Sequence, residues 1–510
     1  MNLLLGIDLG TTGIRTTLLN EAGDVVLRNG RSSPTQASWT DAAGHIAEED
    51  PAVFSLALKD SISEVLHLSH CKPGEIAGIG ISAMAPEAVA IDADGLPLSR
   101  CILWMDRRAV AEAELIRQRI GEQRIIQLSG NPVDPYFGLT KVLWIRRNLP
   151  GIYRRAAKIV SLKDFLVGQL TGRWVTDVSH AGIAGIAFDI RNNCWNEDML
   201  RELELEPSKL PDALACDRIV GGVTTAAADE LGLTEGTPVV NGMIDSAAGY
   251  LACGAVQPLQ SAMTLGTSSC WGVASAEANF PRGMNITKAP WNPDIYLINA
   301  SLAAGGAMLS WLHRLLGLSA SEQSLAILEE EAAGVPIGSD RLLTLPHFLG
   351  ERAPLWDPHA RGVFFGLSSG HNREHLYRSA LEGIALSLYR NKILLEQAGI
   401  ALRNKVIVSG GSARSRLLRC ILADALDITV EYIGDDRGGD YAAAWLAGKA
   451  VRIFPDYEGL REGRRIVATD RPNRANHLLY KELYDEIYQD LYPRLTEAYR
   501  RLADYPKESD

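Results

Sequence analysis

The feature of this sequence that most constrains its fold is a strand–turn–strand pattern that opens the chain and returns in its second half. Residues 3–19 read LLLGIDLGTTGIRTTLL: an apolar run reaching Asp8, a Gly/Thr turn, and a second β-rich run that carries Arg15. Residues 261–275 read SAMTLGTSSCWGVAS, again two β-rich runs around a Gly-Thr-Ser turn. Both stretches are typical of β-hairpins with a polar tip. The repeat therefore predicts two related α/β units that face one another.

The first turn suits one kind of ligand. A short Gly/Thr turn offers backbone N–H groups and hydroxyls to an anion, whereas a neighbouring carboxylate such as Asp8 can hold a metal ion or its waters. The pattern therefore predicts a binding site for a magnesium-bound polyphosphate. A surface hairpin with a solvated Asp8 would have the same local sequence, so both interpretations stay open at this point.

Length and charge exclude several classes of protein. A chain of 510 residues exceeds what one hydrophobic core usually supports, which predicts two domains. The formal charge of -11 disfavours nucleic acid or an anionic membrane as the main partner. Seven scattered cysteines without a C-x-x-C motif, and an N-terminus without a basic region, predict a cytoplasmic protein with reduced thiols.

The rest of the chain alternates between strand and helix patterns. Helical periodicity covers residues 48–68, a strand covers 76–82, and a second helix over 161–172 ends at a glycine. Asp245 follows the strand and Gly242 turn of residues 239–244, at a strand-to-helix junction where α/β folds commonly carry ligand chemistry. Residues 405–413 read as a strand that enters a glycine turn and then a helix.

Other nucleotide and metal motifs are weak or missing. Residues 78–83, GIGISA, fit the dinucleotide pattern G-x-G-x-x-A, but the glycines lie inside a predicted strand with no clear helix start after it. The sequence has no G-x-x-x-x-G-K-[ST] loop and no pair of H-R-D and D-F-G motifs. His67 with His70, and His371 with His375, share helical faces but lack a convincing third metal ligand.

Five segments of the chain form a specific combination: GIDLGTTGIR (6–15), GMID (242–245), LGTS (265–268), GERAPLWD (350–357) and VSGGSA (408–413). Together they resemble the FGGY family of carbohydrate kinases, the sugar-kinase branch of the actin-like ATPases, and the likeness covers nearly the whole chain. Residues 163–166 and 170–177, and the Leu-Tyr-Pro of the tail within 483–495, look most like the xylulokinase branch.

The resemblance implies an α/β fold of two actin-like (ribonuclease H-like) ATPase domains around a central cleft. Residues 1–247 would bind the sugar and carry the base, and residues 248–510 would bind the nucleotide and end in a helix at about 475–503. The implied reaction transfers the γ-phosphate of ATP, with Mg²⁺, to a hydroxyl of a small sugar, most simply a pentulose such as D-xylulose. Gluconate, ribulose or a polyol as acceptor, or an actin-like ATP-binding protein without sugar kinase activity, are the alternatives. Sugar and ATP would be its partners, without nucleic acid or membrane, and dimers are common in the family.

The resemblance also assigns residues to the reaction. Asp245 matches the family's catalytic base, although an aspartate there could instead cap the following helix. Asp8 matches the acidic residue near magnesium. Thr11, Thr12 and Arg15 in the first hairpin, and Gly266 and Thr267 in the second, would bind the phosphates, although Thr267 could be an ordinary turn residue. At the adenosine end the matching residues are Gly306, Ser310, Gly410, Gly411 and Ser415, where small residues over 303–307 could equally serve helix packing.

The predicted sugar pocket departs from the family pattern. Where xylulokinases usually carry Gln-Met-His-Gly, this chain has Met84, Ala85, Pro86 and Glu87. Glu87 could supply a new hydrogen-bond acceptor or could point to solvent. A second segment matches the sugar side of the family through Trp104, Asp106 and Arg108, although Trp104 could belong to the core. The sequence therefore leaves the identity of the sugar and of the phosphorylated hydroxyl open.

Overall fold

Two mixed β-sheets, one built from each half of the chain, form the frame of the structure. The computed structural model describes residues 2–11, 13–31, 39–40, 46–318, 322–434 and 437–505. The strands of the first half are β1 (Leu3–Gly10), β2 (Gly13–Leu19), β3 (Val25–Arg31), β4 (Trp39–Thr40), β5 (Ala47–Glu49), β6 (Ile76–Ala83), β7 (Val89–Ile91), β8 (Cys101–Ile102), β9 (Lys158–Val160), β10 (Val175–Asp177), β11 (Phe188–Asp189), β12 (Cys194–Trp195), β13 (Asp212–Leu214), β14 (Ile219–Gly222), β15 (Pro238–Val240) and β16 (Met243–Ile244). Those of the second half are β17 (Ser261–Leu265), β18 (Ser269–Ser275), β19 (Asn285–Ala289), β20 (Asn292–Leu302), β21 (Leu343–Leu345), β22 (Val363–Phe365), β23 (Lys405–Ser409), β24 (Thr429–Ile433) and β25 (Ile466–Asp470).

Helices surround both sheets. In the first half they are α1 (Pro51–Ser69), α2 (Val110–Arg119), α3 (Glu122–Ser129), α4 (Gly138–Asn148), α5 (Pro150–Arg155), α6 (Leu162–Thr171), α7 (Val178–Ala184), α8 (Glu197–Glu202), α9 (Thr225–Leu231) and α10 (Asp245–Ala252). In the second half they are α11 (Gly305–Leu315), α12 (Glu322–Ala333), α13 (Arg373–Gln397), α14 (Arg416–Leu426), α15 (Gly439–Ala450), α16 (Glu458–Glu462), α17 (Arg474–Leu483) and α18 (Gln489–Asp504).

The first sheet has the strand order β14-β15-β6-β1-β2-β3, with β16 paired to β6. Strands β1 and β2 form the predicted antiparallel hairpin, in which Asp8 lies opposite Arg15. Strand β6 runs parallel to β1 and brings Ser82 opposite Asp8. This arrangement confirms the opening hairpin and the strand predicted over 76–82.

The second sheet repeats this plan, with the order β19-β20-β18-β17-β23-β24-β25. Strands β17 and β18 form an antiparallel hairpin, and β23 runs parallel to β17, as β6 does to β1. Thr264 of β17 lies opposite Ser409 of β23. The predicted repeat of a hairpin followed later by a parallel strand is therefore confirmed.

Two helices, α10 and α15, pack between the sheets and against each other. Helix α15 comes from the second half of the chain, yet it lies on β1 and β6 of the first sheet. Its approach depends on two glycines, because a Cβ on Gly6 would overlap the carbonyl oxygen of Asp440 and one on Gly80 would overlap that of Ala443. Helix α10 contacts β17 and β18 of the second sheet in turn.

The helix boundaries follow local capping chemistry. Asp50 accepts a hydrogen bond from the backbone N–H of Ala52 at 2.9 Å, and Pro51 opens α1. Ser161 caps α6, which ends at Gly172 with a φ of 68°. The C-terminal stretch is helical from Arg474 to Asp504, through a π-helical segment over Tyr484–Tyr488. Among the described helices, none combines the length and apolar character needed to cross a membrane.

The dinucleotide interpretation of residues 78–83 is wrong. Gly78 and Gly80 lie inside β6, and the next regular element after Ala83 is the strand β7. A dinucleotide loop would need these glycines in a turn that opens a helix. Their absent side chains instead let α15 pack against the sheet.

Candidate functional site

Asp245 lies where β16 passes into α10. It is the first residue of the helix, after Ile244, and its carboxylate accepts a hydrogen bond from the adjacent Ser246 N–H at 2.6 Å. The alternative that Asp245 caps the helix is therefore wrong, since Ile244 occupies the cap position. Burial raises the pKa of Asp245, while the nearby His180 and Arg352 act in the opposite direction. The half-buried carboxylate thus combines partial access with raised basicity.

Residues from both halves of the chain surround this carboxylate. The guanidinium carbon of Arg352 lies 5.1 Å from the centre of the Trp104 ring. Burial raises the pKa of Tyr136 to about 12, with Arg352 lowering it and Asp245 raising it. The ring of Trp356 lies 5.7 Å from that of Tyr136. Aromatic faces and one guanidinium beside a carboxylate suit an uncharged ligand with several hydroxyl groups.

Asp8 forms a second acidic centre, close to Asp245. It is 8% exposed and accepts a hydrogen bond from the Ser82 hydroxyl at 2.6 Å. Burial raises its pKa to about 7, and the neighbouring carboxylates of Asp440 and Asp245 add to the rise. Asp440 is held by Thr17 and by Arg28, whose Nε lies 2.6 Å from Asp440 Oδ2. The concentration of negative charge around Asp8 would be relieved by a cation.

The tip of the first hairpin borders this centre. The Thr11 hydroxyl accepts a hydrogen bond from the Trp104 indole N–H at 3.0 Å, so the hairpin tip contacts one of the aromatic residues near Asp245. Arg15 is exposed, and its charge lowers the pKa of Asp8. Thr12 lies outside the described residues. The hairpin therefore brings a hydroxyl and a guanidinium to the same end of β1 and β2.

The tip of the second hairpin is docked on α11. The N–H of Gly306 donates to Gly266 O at 3.0 Å, and the N–H of Ala307 donates to Thr267 O at 2.9 Å. A Cβ on Gly306 would overlap Gly266 O and lie 2.9 Å from the Ser412 hydroxyl. Gly266, Thr267 and Ser310 are exposed. The small-residue alternative for 303–307 is thus borne out at Gly306, where the close packing joins the hairpin, α11 and the glycine turn.

The glycine turn after β23 presents open backbone. Gly410 has a φ of 95°, and a Cβ on Gly411 would meet nothing within 4 Å. Ser415 caps α14 by accepting from the Leu418 N–H at 3.0 Å, and its hydroxyl donates to Glu329 at 2.9 Å. Gly411 therefore leaves room for a ligand, whereas the Ser415 hydroxyl is already engaged within the fold.

The two predicted sugar-side segments differ in what their side chains do. Met84 belongs to the core of the first sheet, and Pro86 and Glu87 are buried. Ala85 is half-buried, and its carbonyl oxygen accepts from the Tyr136 hydroxyl at 3.3 Å. The expectation that Glu87 could point to solvent is wrong, because its side chain is only 4% exposed.

Asp106 and Arg108 bind each other rather than facing an open space. Asp106 Oδ2 accepts from Arg108 Nε at 2.8 Å and from the Ala47 N–H at 2.7 Å. The Arg108 guanidinium also pairs with Glu48 at 2.8 Å and lies over the Trp144 ring. These contacts fix the segment that carries Trp104. Asp106 and Arg108 therefore stabilise the position of Trp104 beside Asp245 without facing the ligand space themselves.

Sequence reasoning gave no role to Tyr136, His180, Arg352 or Asp440. Arg352 stands inside the segment 350–357 that carried the resemblance, so its motif was a usable signal. Asp440 follows the pair Gly438-Gly439, and a Cβ on Gly439 would overlap the Asp8 carboxylate, a close approach that such a pair can indicate. Tyr136 and His180 have no local signal, since only tertiary contacts bring them to Asp245.

Comparison with known proteins agrees with this geometry. Residues 3–252 match the N-terminal domain, and residues 261–451 the C-terminal domain, of the FGGY family of carbohydrate kinases. A xylulose kinase of Staphylococcus xylosus is 28% identical over 95% of this chain and 100% of its own. A gluconokinase of Bacillus subtilis is 28% identical over 84% of this chain and 83% of its own.

A solved structure supports the same relationship. The xylulose kinase of Rhodospirillum rubrum superposes with a TM-score of 0.88 at 30% identity, covering 98% of this chain and 100% of its own. The expected two-domain, actin-like α/β ATPase fold is thereby confirmed. Taken with the duplicated sheets and the acidic cleft, these matches show that the chain belongs to the FGGY family of carbohydrate kinases.

Proposed function

We propose that this ATP-dependent carbohydrate kinase transfers the γ-phosphoryl group of ATP to a hydroxyl of a small ketose, D-xylulose, with Asp245 as the base. The observation that carries the proposal is the proximity of Asp245, which directly follows β16, to Asp8, which lies in the turn-proximal part of β1. Asp245 raises the pKa of Asp8, so the two carboxylates share one electrostatic environment. Phosphoryl transfer needs both a proton acceptor and a centre of charge neutralisation at such short range.

In this reaction Asp245 accepts the proton of the attacking hydroxyl as its oxygen bonds to the γ-phosphorus. The bond from that phosphorus to the β–γ bridging oxygen breaks, and ADP leaves with the electron pair. Arg352 lies beside Asp245 and would orient the acceptor, while Trp104 would stack on an apolar sugar face. The raised pKa of Asp245 makes it a stronger base than an exposed aspartate.

The phosphates would be held by the two hairpin tips. Thr11, Thr12 and Arg15 would bind them from the first half, and Gly266 with Thr267 from the second. The N-terminus of α11 lies directly behind the second tip, where its dipole favours an anion. Gly410 and Gly411 offer open backbone for the adenosine, beside Gly306 and Ser310 of α11.

Asp8 fits a magnesium ion bound mainly by phosphate oxygens and water. Within the described ranges, no group of three or more His, Cys, Asp or Glu side chains could hold a metal by itself. Magnesium typically uses one or two carboxylates together with substrate phosphates. Asp8 matches this pattern, because the neighbouring Asp440 is already held by Thr17 and Arg28. When bound, the ion would neutralise charge on the transferring phosphoryl group. Asp8 would then be ionised, because a cation opposes the effects that raise its pKa.

The choice of D-xylulose rests on the relatives named above, of which two are xylulose kinases and one is a gluconokinase. The test is coupled ADP release across D-xylulose, L-xylulose, D-ribulose, gluconate, glycerol and erythritol. We expect the highest kcat/KM with D-xylulose. A higher value with gluconate would replace the substrate, and sugar-independent ADP release alone would contradict the kinase reaction.

The proposal also divides the chain at residue 247 and includes closure of the two halves on the sugar. Closure would exclude water, which competes with the sugar for the γ-phosphate. Small-angle scattering with D-xylulose and a nonhydrolysable nucleotide is expected to give a smaller radius of gyration than the free protein. An unchanged radius would contradict closure.

A further inference from the structure

A cavity of about 40 Å³ with a mainly apolar lining lies within the first half of the chain, bounded by Pro86, α4, β9, α6 and α7. Apolar side chains form much of its wall. Its polar contributors include Glu87, Ser161, Asp164, Thr176 and His180. A cavity of this size is large enough for a few water molecules or for one end of a small polar ligand.

Glu87 stands out among these residues because its buried carboxyl group has few polar partners. Within the described part of the chain, neither of its carboxylate oxygens makes a hydrogen bond of good geometry, although the backbone N–H of Leu162 is close enough to lower the pKa of Glu87. Burial raises the pKa of Glu87 well above its ordinary value, against the effect of the nearby Lys141. Lys141 directs its ammonium group elsewhere, to Pro86 O at 2.6 Å and Tyr136 O at 2.9 Å. A buried carboxyl group whose hydrogen-bonding capacity is largely unused is unfavourable in the free protein, so a hydrogen-bond donor from a ligand would stabilise it.

His180 contributes a second unsatisfied atom to the cavity wall. Its Nδ1 lies 2.6 Å from Asp177 Oδ2. The pKa of Asp177 is held far below its ordinary value by Lys163 and His180, which outweigh its burial, so Asp177 is an acceptor and Nδ1 carries the proton. In the neutral ring, Nε2 is then an acceptor, and it has no partner among the described residues.

The cavity is linked to the base. His180 and Asp245 interact electrostatically, as do Glu87 and Asp245. Helix α7, which carries His180, is also tied to the strand before Asp245, because the Ser179 hydroxyl accepts from the Ile244 N–H at 3.1 Å. A ligand whose reacting group meets Asp245 could therefore extend toward Glu87 and His180.

We propose that Glu87 and His180 form a subsite for the hydroxyl groups at the end of the acceptor sugar away from the phosphorylated position. This inference rests on the sugar kinase function proposed above and narrows it to an uncharged polyhydroxy substrate. Hydroxyl groups can donate to the Glu87 oxygens and to His180 Nε2. Among the described residues that line the cavity there is no lysine or arginine, so a substrate carboxylate would be left without a compensating charge.

The test compares two acceptors that differ in this distal end. D-Xylulose carries it, whereas dihydroxyacetone lacks it, and the ratio of their kcat/KM values isolates the subsite. Losing hydrogen bonds to a buried group changes such ratios by roughly tenfold or more. We therefore expect the preference for D-xylulose over dihydroxyacetone to fall by that factor in Glu87→Leu and by less in Glu87→Gln. Asp229→Asn, on the exposed face of α9 and outside the cavity, is the control and should leave the ratio within about twofold.

Thermal unfolding gives a second readout that a merely structural Glu87 would not produce. Removing a buried carboxyl with few polar partners is expected to raise the Tm of the free Glu87→Leu protein, while the Tm increase caused by D-xylulose becomes smaller. Equal losses with both acceptors, or a lower Tm with an unchanged ratio, would overturn the subsite and mark a cavity that holds water only. Preference for gluconate in the unmutated protein would overturn the uncharged substrate class.

Failure of the kinase function would look different from failure of the subsite. If no acceptor stimulates ADP release, the proposed function fails, and the Tm shift with D-xylulose still decides the subsite by its dependence on Glu87. If D-xylulose is phosphorylated but Glu87→Leu keeps the unmutated ratio, only the subsite fails.

Discussion

The two sheets have the same arrangement of a hairpin and a parallel strand, but the residue at one equivalent position of the first hairpin strand differs between them. In the first sheet Asp8 of β1 lies opposite Ser82 of the parallel strand β6. In the second sheet Thr264 of β17 lies opposite Ser409 of β23. The same backbone positions therefore hold a carboxylate in one half and a neutral hydroxyl in the other. The comparison teaches that a duplicated scaffold can confine its negative charge to one side of a cleft.

The environments of the two hairpins differ in the same sense. Burial is the main cause of the raised pKa of Asp8; Asp440 and Asp245 add to the rise, and the hydrogen bond from Ser82 opposes it. The tip of the second hairpin is exposed, and its backbone is fixed to α11 through Gly266 and Thr267. The first hairpin thus supplies a titratable group and the second hairpin supplies fixed backbone, a division suited to a charged reaction at one tip and a nucleotide phosphate at the other.

The largest expected effect tests whether the chemistry lies in the first half. Asp245→Asn removes the proposed proton acceptor, so sugar-dependent ADP release should fall by roughly 10²- to 10⁴-fold. ATP binding, measured by calorimetry, should persist because the substitution leaves the second half intact. Asp229→Asn, on the exposed face of α9, is the matched control. Near-normal transfer in Asp245→Asn would show that another group is the base.

The pH dependence of stability tests the burial of Asp8. The carboxyl has a pKa of about 7 in the folded protein and 3.8 in its ordinary state, so the folded form binds its proton more tightly than the unfolded chain. Stability should therefore fall as the pH rises from about 4 to about 7, by an amount on the order of 2–4 kcal/mol.

Asp8→Asn should remove this fall, and urea midpoints at pH 5 and pH 8 measure the difference. Magnesium with ADP should raise the Tm of the unmutated protein at pH 8 more than that of Asp8→Asn. A variant with the same pH slope as the unmutated protein would contradict the raised pKa. An equal response to magnesium would contradict the metal role.

Gly306→Ala tests the backbone contact that fixes the second hairpin. The added methyl group would overlap Gly266 O, so we expect a loss of about 1–3 kcal/mol in stability and a higher KM for ATP. Gly411→Ala is the control for steric strain, since its Cβ would meet nothing within 4 Å. Denaturant unfolding of both variants decides the point, and equal stability would mean that α11 can move away from the hairpin.

The smallest expected effect concerns the Thr267 hydroxyl. Thr267 is exposed, so Thr267→Ala should leave the Tm unchanged. Loss of one hydrogen bond to a phosphate should raise the KM for ATP roughly three- to tenfold. Thr267→Ser keeps the hydroxyl and should behave like the unmutated protein. An unchanged KM for ATP in Thr267→Ala would mean that the second hairpin binds the phosphates through its backbone and not through the Thr267 hydroxyl.

Local sequence predicted the elements whose signals are local. The hairpins and the helix end at Gly172 were predicted because turn and capping chemistry depends on neighbouring residues, and the structure adds the caps at Asp50 and Ser161. The dinucleotide interpretation of 78–83 failed because a glycine in a strand can serve packing against a helix that is distant in sequence. Asp245 was expected at a strand-to-helix junction, and the structure adds that it is the first residue of α10.

The sequence by itself determined the duplicated α/β plan and the family, because strand periodicity, glycine turns and motif segments are written in consecutive residues. Only the tertiary structure brought Arg352 and Tyr136 to Asp245, and Asp440 to Asp8. It also turned Glu87 inward, toward a cavity that it shares with His180. These outcomes depend on contacts between residues far apart in the chain, and the energies of buried charges arise only when packing removes water from them.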